Sequence, residues 1–190
     1  PSGRISATTA DHVTAGLTGR IAAVLDDGPC TVGLESTIVG LTGEAPVVLR
    51  AGGLPQEAIE AALGQPVQNA QGSEIIAPGQ LASHYAPQAP LRLNAESFLP
   101  NEARLGFGKV ACDLNLSPTG DLTEAAANLF DHMHRLDALV GRSDHTGLTG
   151  RTGTGLTGTA DLTDMAVSPI PMRGLGVAIN DRLRRAAAPR

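Results

Sequence analysis

The sequence is short of the residues on which several common kinds of binding site depend. Lys109 is the only lysine, which excludes a phosphate-binding loop that ends in lysine. A phosphate site must therefore use arginine, backbone N–H groups or a metal ion. The formal net charge of −5 argues against a broad basic surface, so we expect no direct binding of nucleic acid. Cys30 and Cys112 lack a metal-binding spacing, and we assign no metal-ligating residue.

Long apolar runs and aromatic residues are also scarce. No run reaches the length of a membrane span and no signal-peptide core is present, so we predict a cytoplasmic protein without membrane contact. Aromatic residues make up 2% of the chain and apolar residues 42%, so its cores must consist of Ala, Val, Leu and Ile, which suits α/β layers. A chain of 190 residues with a break near its middle is expected to form two small domains.

That break is a stretch rich in proline, glycine and serine between residues 76 and 91. Ala77, Ala86 and Ala89 each precede a proline, which favours open backbone, so the stretch is predicted to be an extended linker without a helix. It contains Tyr85, the only tyrosine, which offers a flat apolar face and a hydroxyl group. Tyr85 either stacks on a nucleotide or only anchors the linker to a domain surface.

Near the start of the chain, hydroxyl groups coincide with a predicted helix start. Thr8 and Asp11 have the spacing of a capping box, which predicts a helix with Thr8 as its N-cap that runs to about Leu17. The free N–H groups of such a helix start, beside the hydroxyls of Ser6 and Thr8, can hold a phosphate. Most hydroxyls at this position only cap a helix, so both interpretations remain open.

The following residues predict a small sheet covered by a helix. Residues 21–25 and 46–49 have the apolar composition of short strands, and residues 33–39 place small polar groups at the entrance to a β-branched run. Pro55 and Gly64 have the positions expected at the start and just past the end of an amphipathic helix. This helix is predicted to cover the sheet.

Arg50 ends the second of these strands and is a candidate anion ligand. Gly52 and Gly53 follow it closely and let the backbone approach a ligand. An arginine in this setting is suited to clamp an anion through its planar guanidinium group. The alternative is a surface arginine that pairs with Glu44 or Glu57.

The second half of the sequence alternates strand and helix patterns. Asp121 and Glu124 have capping spacing, and the apolar period after them predicts a core-facing helix to residue 140. His132 and His134 are two positions apart on this helix and point in different directions, so we expect no shared metal. Residues 141–164 are rich in Gly and Thr and predict a mobile surface loop. Further strands are predicted at residues 91–93, 104–107, 110–113 and 165–167, and a final helix at 175–187.

Several short motifs follow one another in a fixed order: PSGRISATT at 1–9, DG at 27–28, GLESTIV at 33–39, LRAGG at 49–53, SHYAP at 83–87, LGFG at 105–108, NLS at 115–117 and GLGVAINDRL at 174–183. The ordered set resembles the two-domain threonylcarbamoyl-AMP synthases. The resemblance implies an α/β fold made of part of a YrdC-like domain at 1–65, an extended linker over the active site at 66–90, and a small Rossmann-like domain at 91–190 that carries the insertion at 141–164.

The resemblance also implies an activity. Such an enzyme converts L-threonine, bicarbonate and ATP, with Mg²⁺, into threonylcarbamoyl-AMP and pyrophosphate, and a downstream transferase complex modifies tRNA with the product. By position in the motifs, Thr8, Arg50 and Tyr85 correspond to contacts of ATP and Ser36 to a contact of threonine. No catalytic residue is implied, and direct binding of tRNA by this chain is not expected.

The sequence departs from the family pattern at its beginning. The lysine-bearing nucleotide motif and the Ser-Ala-Asn segment that precede PSG in the family are absent from this sequence. We therefore expect a truncated synthase that carries part of the active site. The alternative is an inactive nucleotide-binding or interaction remnant of the same family.

Overall fold

A computed structural model describes residues 3–70, 77–79, 81–140 and 162–189. The secondary structure alternates between strands and helices, which confirms the α/β class. The elements in chain order are α1 (Ala10–Leu17), β1 (Ile38–Gly40), β2 (Val47–Arg50), α2 (Gln56–Leu63), β3 (Gln68–Asn69), β4 (Leu91–Arg92), β5 (Glu102–Gly106), β6 (Leu114–Asn115), α3 (Leu122–Val140), β7 (Asp164–Val167) and α4 (Leu175–Ala186).

The first region, residues 3–70, contains a three-stranded sheet in the order β1-β2-β3. β1 and β2 are antiparallel, whereas β2 and β3 are parallel. Helix α2 has the predicted bounds: Pro55 is its N-cap and Gly64 ends it with a left-handed φ of 66°. The buried core of this region is small and consists of Val48, Ile59 and Val67. Such a core gives the first region little apolar burial of its own.

The second region, residues 91–140 and 162–189, contains a parallel four-stranded sheet in the order β4-β7-β5-β6. Helix α3 packs on this sheet and on α4. Its predicted apolar face is confirmed, since Leu129, Phe130, Met133 and Leu136 are at most 1% exposed. The carboxylate of Asp121 caps this helix as predicted, by accepting hydrogen bonds from the backbone N–H groups of its first turn.

The linker between the regions has no helix among its described residues, 77–79 and 81–90, as predicted. Its backbone is tied to both regions. The N–H of Ala86 donates to the carbonyl of Gly3 at 2.9 Å. The N–H groups of Gln88 and Ala89 both donate to Asp137 of α3, at 2.8 and 2.9 Å. The part of the linker that the structure describes is therefore attached to both regions.

Three local predictions are wrong. Residues 21–25 are not a strand, and the side chain of Leu25 is fully exposed, because no strand of the described chain pairs with this run. The N-cap of α1 is Thr9 and not Thr8, since the Thr9 side chain accepts from the N–H of His12. Residues 110–113 are not a strand either, because they turn so that the Asp113 carboxylate binds Arg104, and β6 starts only afterwards.

Other predictions concern residues that the structure leaves out. Residues 141–161, most of the Gly/Thr-rich insertion, lie outside the described residues, so the prediction of a mobile loop is not tested. In the described part of the chain, no helix is both long enough and apolar enough to cross a membrane.

Candidate functional site

Arg50, at the end of β2, is surrounded by neutral hydrogen-bond acceptors. Its Nε and Nη2 atoms donate to the carbonyl oxygen of Ser36 at 3.2 and 2.8 Å, and its Nη1 atom donates to the carbonyl of Pro78 at 3.2 Å. Among the described ion pairs, none joins Arg50 to Glu44 or Glu57, and Glu57 accepts a hydrogen bond from the N–H of Gly174. Because no described carboxylate neutralises the Arg50 guanidinium, its charge is available to attract an anion.

Two glycines allow the segments around Arg50 to come together. A methyl group on Gly52 would collide with the backbone of residues 35–37, which carry Ser36. Gly79 adopts a φ of 82°, and a methyl group there would collide with the hydroxyl oxygen of Tyr85. The two glycines thus allow Ser36, Arg50 and the linker around Tyr85 to meet in one cluster, which contains three of the four candidate residues.

Ser36 is exposed, and its hydroxyl group makes only a weak hydrogen bond among the described contacts. The described contact of its Oγ atom is with Nη2 of Arg50 at 3.4 Å, which is long for a hydrogen bond. The hydroxyl therefore remains able to bind a ligand beside the Arg50 charge.

Tyr85 is an anchored residue of the linker and only 2% exposed. Its backbone has a left-handed φ of 59°, its ring centroid lies 5.4 Å from that of Phe130, and the guanidinium carbon of Arg182 lies 5.3 Å from its ring centroid. Burial raises the pKa of the Tyr85 hydroxyl above its ordinary value of 10.0, and the Arg182 charge opposes this rise. The hydroxyl reaches the Gly79 turn beside Arg50, while the ring packs in the core.

Thr8 is buried but is not part of this cluster. Its hydroxyl oxygen lies 3.4 Å from Nδ1 of His12, and its carbonyl accepts from the N–H of Cys30 at 2.9 Å. None of the described hydrogen bonds joins Thr8 to Arg50 or Ser36. The described contacts of Thr8 are thus within the first region, to His12 and Cys30.

The sequence analysis missed the residue on which the site is most tightly built, Arg182 of α4. Its side chain is completely buried, with Nε donating to Glu35 at 2.9 Å and Nη1 donating to the carbonyl of Ala51 at 2.7 Å. Burial alone would raise the pKa of Glu35, but the Arg182 charge and a hydrogen bond from Ser6 outweigh it and hold this pKa below its usual range. Both Glu35 and Arg182 lie within the conspicuous motifs, but they are 147 positions apart and no local pattern pairs them.

The described residues include no group of three or more His, Cys, Asp or Glu side chains placed to hold a metal ion. Mg²⁺ that accompanies a nucleotide is held largely by phosphate oxygens and water, with one or two protein carboxylates at most.

Comparison with known families decides the relationship. A family model described as "Threonylcarbamoyl-AMP synthase, C-terminal domain" matches residues 54–188. A second, described as "Telomere recombination", matches residues 1–52. The chain belongs to the threonylcarbamoyl-AMP synthase family. The family resemblance proposed from the motifs is thereby confirmed.

Individual members of the threonylcarbamoyl-AMP synthase family match different shares of the chain. The synthase of Pyrococcus abyssi is 29% identical over an alignment of 208 positions. This alignment covers 98% of this chain and 55% of that protein. The synthase of Bacillus subtilis is 43% identical over 97 residues, which cover 48% of this chain and 28% of that protein. The chain thus spans about half the length of the first relative and less of the second.

Solved structures extend the match to the fold. The crystal structure of P. abyssi Sua5 complexed with L-threonine matches with a TM-score of 0.73 and 28% identity, over 98% of this chain and 55% of that one. A variant structure of P. abyssi Sua5 matches with a TM-score of 0.72 at 24% identity, which supports the fold alone. The chain therefore shares the fold of this solved structure over almost its whole length.

Proposed function

We propose that this protein is an L-threonylcarbamoyladenylate synthase. It takes L-threonine, bicarbonate and ATP with Mg²⁺, and it releases threonylcarbamoyl-AMP and pyrophosphate. The product is passed in the cytoplasm to a transferase complex that modifies tRNA, without direct binding of tRNA by this chain. The observation that carries the proposal is the meeting of Ser36, Arg50 and the Tyr85 linker in one cluster, within a chain that matches a Sua5 structure complexed with L-threonine.

The geometry supports a division of roles among the candidate residues. Arg50 presents to the triphosphate a cation whose described partners are neutral carbonyl oxygens, and those carbonyls fix the orientation of its guanidinium group. Tyr85 fixes the linker that crosses beside Arg50. Ser36 has a free hydroxyl next to that charge and is assigned to threonine. Thr8, which lies apart from them, is assigned to the far end of ATP.

The chemistry that these residues must assist has two anionic partners. The threonine amine adds to the carbon of bicarbonate and gives a carbamate, with loss of water. A carbamate oxygen then attacks the α-phosphate and the bond to the β-phosphate breaks, so pyrophosphate leaves with its electron pair. Both reactants are negatively charged, so the site must hold them in line and offset their repulsion. Arg50 is the side chain best placed for that task.

The test is the release of pyrophosphate by the purified protein, measured with all three substrates and with each one omitted in turn. We expect release only when L-threonine, bicarbonate and MgATP are all present. Arg50→Gln should lower kcat/KM for ATP by about 100-fold, because it removes a preorganised cation. Ser36→Ala should mainly raise KM for L-threonine.

Arg135→Gln is the matched control, since Arg135 lies half-exposed on α3 and pairs only with Asp131 of the same helix. It should leave pyrophosphate release unchanged. Release without threonine would contradict the proposal, as would equal losses in Arg50→Gln and Arg135→Gln. Binding of ATP by a folded protein without turnover would instead support the nucleotide-binding alternative.

A further inference from the structure

Arg182 joins helix α4 of the second region to both backbone segments of the candidate site. Its Nε atom binds the side chain of Glu35, the residue directly before Ser36, and its Nη1 atom binds the carbonyl of Ala51, the residue directly after Arg50. One buried side chain thus contacts a chain neighbour of both Ser36 and Arg50.

The same side chain also supports the linker. The Arg182 guanidinium lies 5.3 Å from the ring centroid of Tyr85, within reach of a cation–π interaction. The last turns of α4 add to this support, because the Nη1 atom of Arg185 donates to the carbonyl of Leu81 at 2.7 Å and the carbonyl of Arg185 accepts from the N–H of His84. The linker is therefore attached to the end of α4 at Leu81 and His84, just before Tyr85.

We propose that Arg182 is a positioning residue of the synthase site, which holds Glu35, Ala51 and Tyr85 so that Ser36 and Arg50 face the substrates correctly. The proposal rests on the function proposed above. In this proposal the second region contributes to the reaction through α4, which carries Arg182 and holds the site residues in place.

Stability alone does not explain this arrangement. A buried ion pair is often no more stabilising than apolar side chains of similar volume. The Nη2 atom of Arg182 is buried and has no hydrogen-bond partner among the described residues, which adds a desolvation cost. An arginine with several directed donors is justified if its task is to fix three neighbours in one geometry.

The charges around Arg182 form a closed group. Asp181 accepts from Nη1 of Arg182 at 3.1 Å and from Nε of Arg185 at 3.1 Å. Glu35 supplies the second carboxylate. The two carboxylates and the two guanidinium groups balance in charge. Removal of the Arg182 charge alone would leave Glu35 without its cation, whereas Asp181 keeps Arg185.

A spectroscopic test is available because Tyr85 is the only tyrosine and the chain has no tryptophan. Tyrosinate absorbance therefore reports the titration of one hydroxyl. In folded Arg182→Gln we expect the pKa of Tyr85 to rise above that of the wild type, because burial persists and the opposing cation is lost. Arg182→Lys should stay closer to the wild type, and Arg135→Gln, the exposed control site on α3, should not differ from it.

The direction of the shift separates positioning from loss of structure. A variant that unfolds or releases the linker exposes Tyr85 and lowers its pKa toward the ordinary value of 10.0, opposite to the expected change. Circular dichroism at each pH of the titration verifies that the protein stays folded. An unchanged or lowered pKa of Tyr85 in folded Arg182→Gln overturns the proposal.

Kinetics supply the second arm of the test. Arg182→Gln should lower kcat by about 100-fold with smaller changes in KM, since the substrate contacts remain but are displaced. Arg182→Lys should retain part of the wild-type kcat. The control variant Arg135→Gln should retain all of it. Normal kcat in Arg182→Gln would overturn the positioning role. If the wild type itself releases no pyrophosphate, the proposed function fails, and the Tyr85 titration still decides whether Arg182 positions the linker.

Discussion

The two regions of this protein differ sharply in how well they can hold themselves together. The second region has a parallel four-stranded sheet whose core side chains are almost completely buried. The first region has three short strands and a core of three residues, Val48, Ile59 and Val67, each 5–8% exposed. Helix α1 of the first region buries no residue at all. The candidate site residues Ser36 and Arg50 therefore lie on the weaker of the two regions.

The first region packs against the second, which compensates for its small core. Ile5 belongs to the core cluster of the second region, and Gly33 lies so close to the backbone of α3 that a side chain would collide with it. The ring of His12 stacks on that of His134 with centroids 3.9 Å apart. Together with Arg182, these contacts make the geometry of the site depend on residues that come far later in the sequence.

Shortening one buried side chain to alanine in each core should give the largest difference in stability between the two regions. Leu129→Ala removes a fully buried side chain from the second region, and we expect it to lower the free energy of unfolding by about 3–5 kcal/mol. Ile59→Ala should cost about 2 kcal/mol, because its small and partly open surroundings can collapse around the change. Urea denaturation followed by circular dichroism measures both values.

The two variants should also differ in how far their effects spread. Leu129→Ala should weaken amide protection in both regions, since the first depends on the second. Ile59→Ala should weaken it in β1–β3 and α2 while α3 keeps its protection. Equal losses in α3 for both variants would mean that the regions support each other symmetrically, contrary to the comparison.

In both regions, local signals in the sequence predict the helices. Helices α2 and α3 are signalled locally, by Pro55 and Gly64 in one case and by Asp121 with its apolar face in the other, and both form as predicted. The strand expected at residues 21–25 fails because pairing depends on a neighbour and not on local composition. Local signals therefore predict helices better than strands in this chain.

The candidate site shows the same limit. Arg50 and Ser36 stand out by their place in local motifs, and they do come together. The burial of Tyr85 and its contact with Arg182 arise from tertiary packing across the two regions, so composition and spacing do not predict them. The Glu35–Arg182 pair was missed for the same reason.

The stacked rings of His12 and His134, which join the two regions, should make the stability of the protein depend on pH. This effect should be smaller than that of the core substitutions. Burial, aided by the neighbouring His12, holds the pKa of His134 below its ordinary value of 6.5. Below pH 6.5 the unfolded chain therefore binds a proton that the folded chain excludes, and the free energy of unfolding falls as the pH drops through this range. The melting temperature, measured against pH, should show this fall.

His134→Phe tests the origin of that dependence. Phenylalanine retains a flat ring against His12 but cannot titrate, so the fall in melting temperature below pH 6.5 should become shallower. It should not vanish, because burial also lowers the pKa of His84 and His132. An unchanged pH profile would show that the stacked pair does not contribute to the coupling between the regions.

The smallest difference in stability between the two regions is expected when the N-cap of one helix in each region is removed. Asp121 caps α3 with short hydrogen bonds from the N–H groups of Thr123 and Glu124, at 2.6 and 2.9 Å, so Asp121→Ala should lower the global free energy of unfolding by about 1 kcal/mol. Asp121→Asn retains an acceptor and should recover most of this loss. Thr9 caps α1 through a longer bond to the N–H of His12, at 3.3 Å.

Thr9→Ala should therefore act locally. Because α1 buries no residue, it can fray without unfolding the core, and the loss should appear as faster amide exchange in α1 with a smaller change in global stability than Asp121→Ala gives. If Thr9→Ala costs as much in global unfolding as Asp121→Ala, α1 unfolds only together with the second region. The first region would then be more firmly joined to the second than its small core implies, and the contacts around His12 would be the place where that extra stability arises.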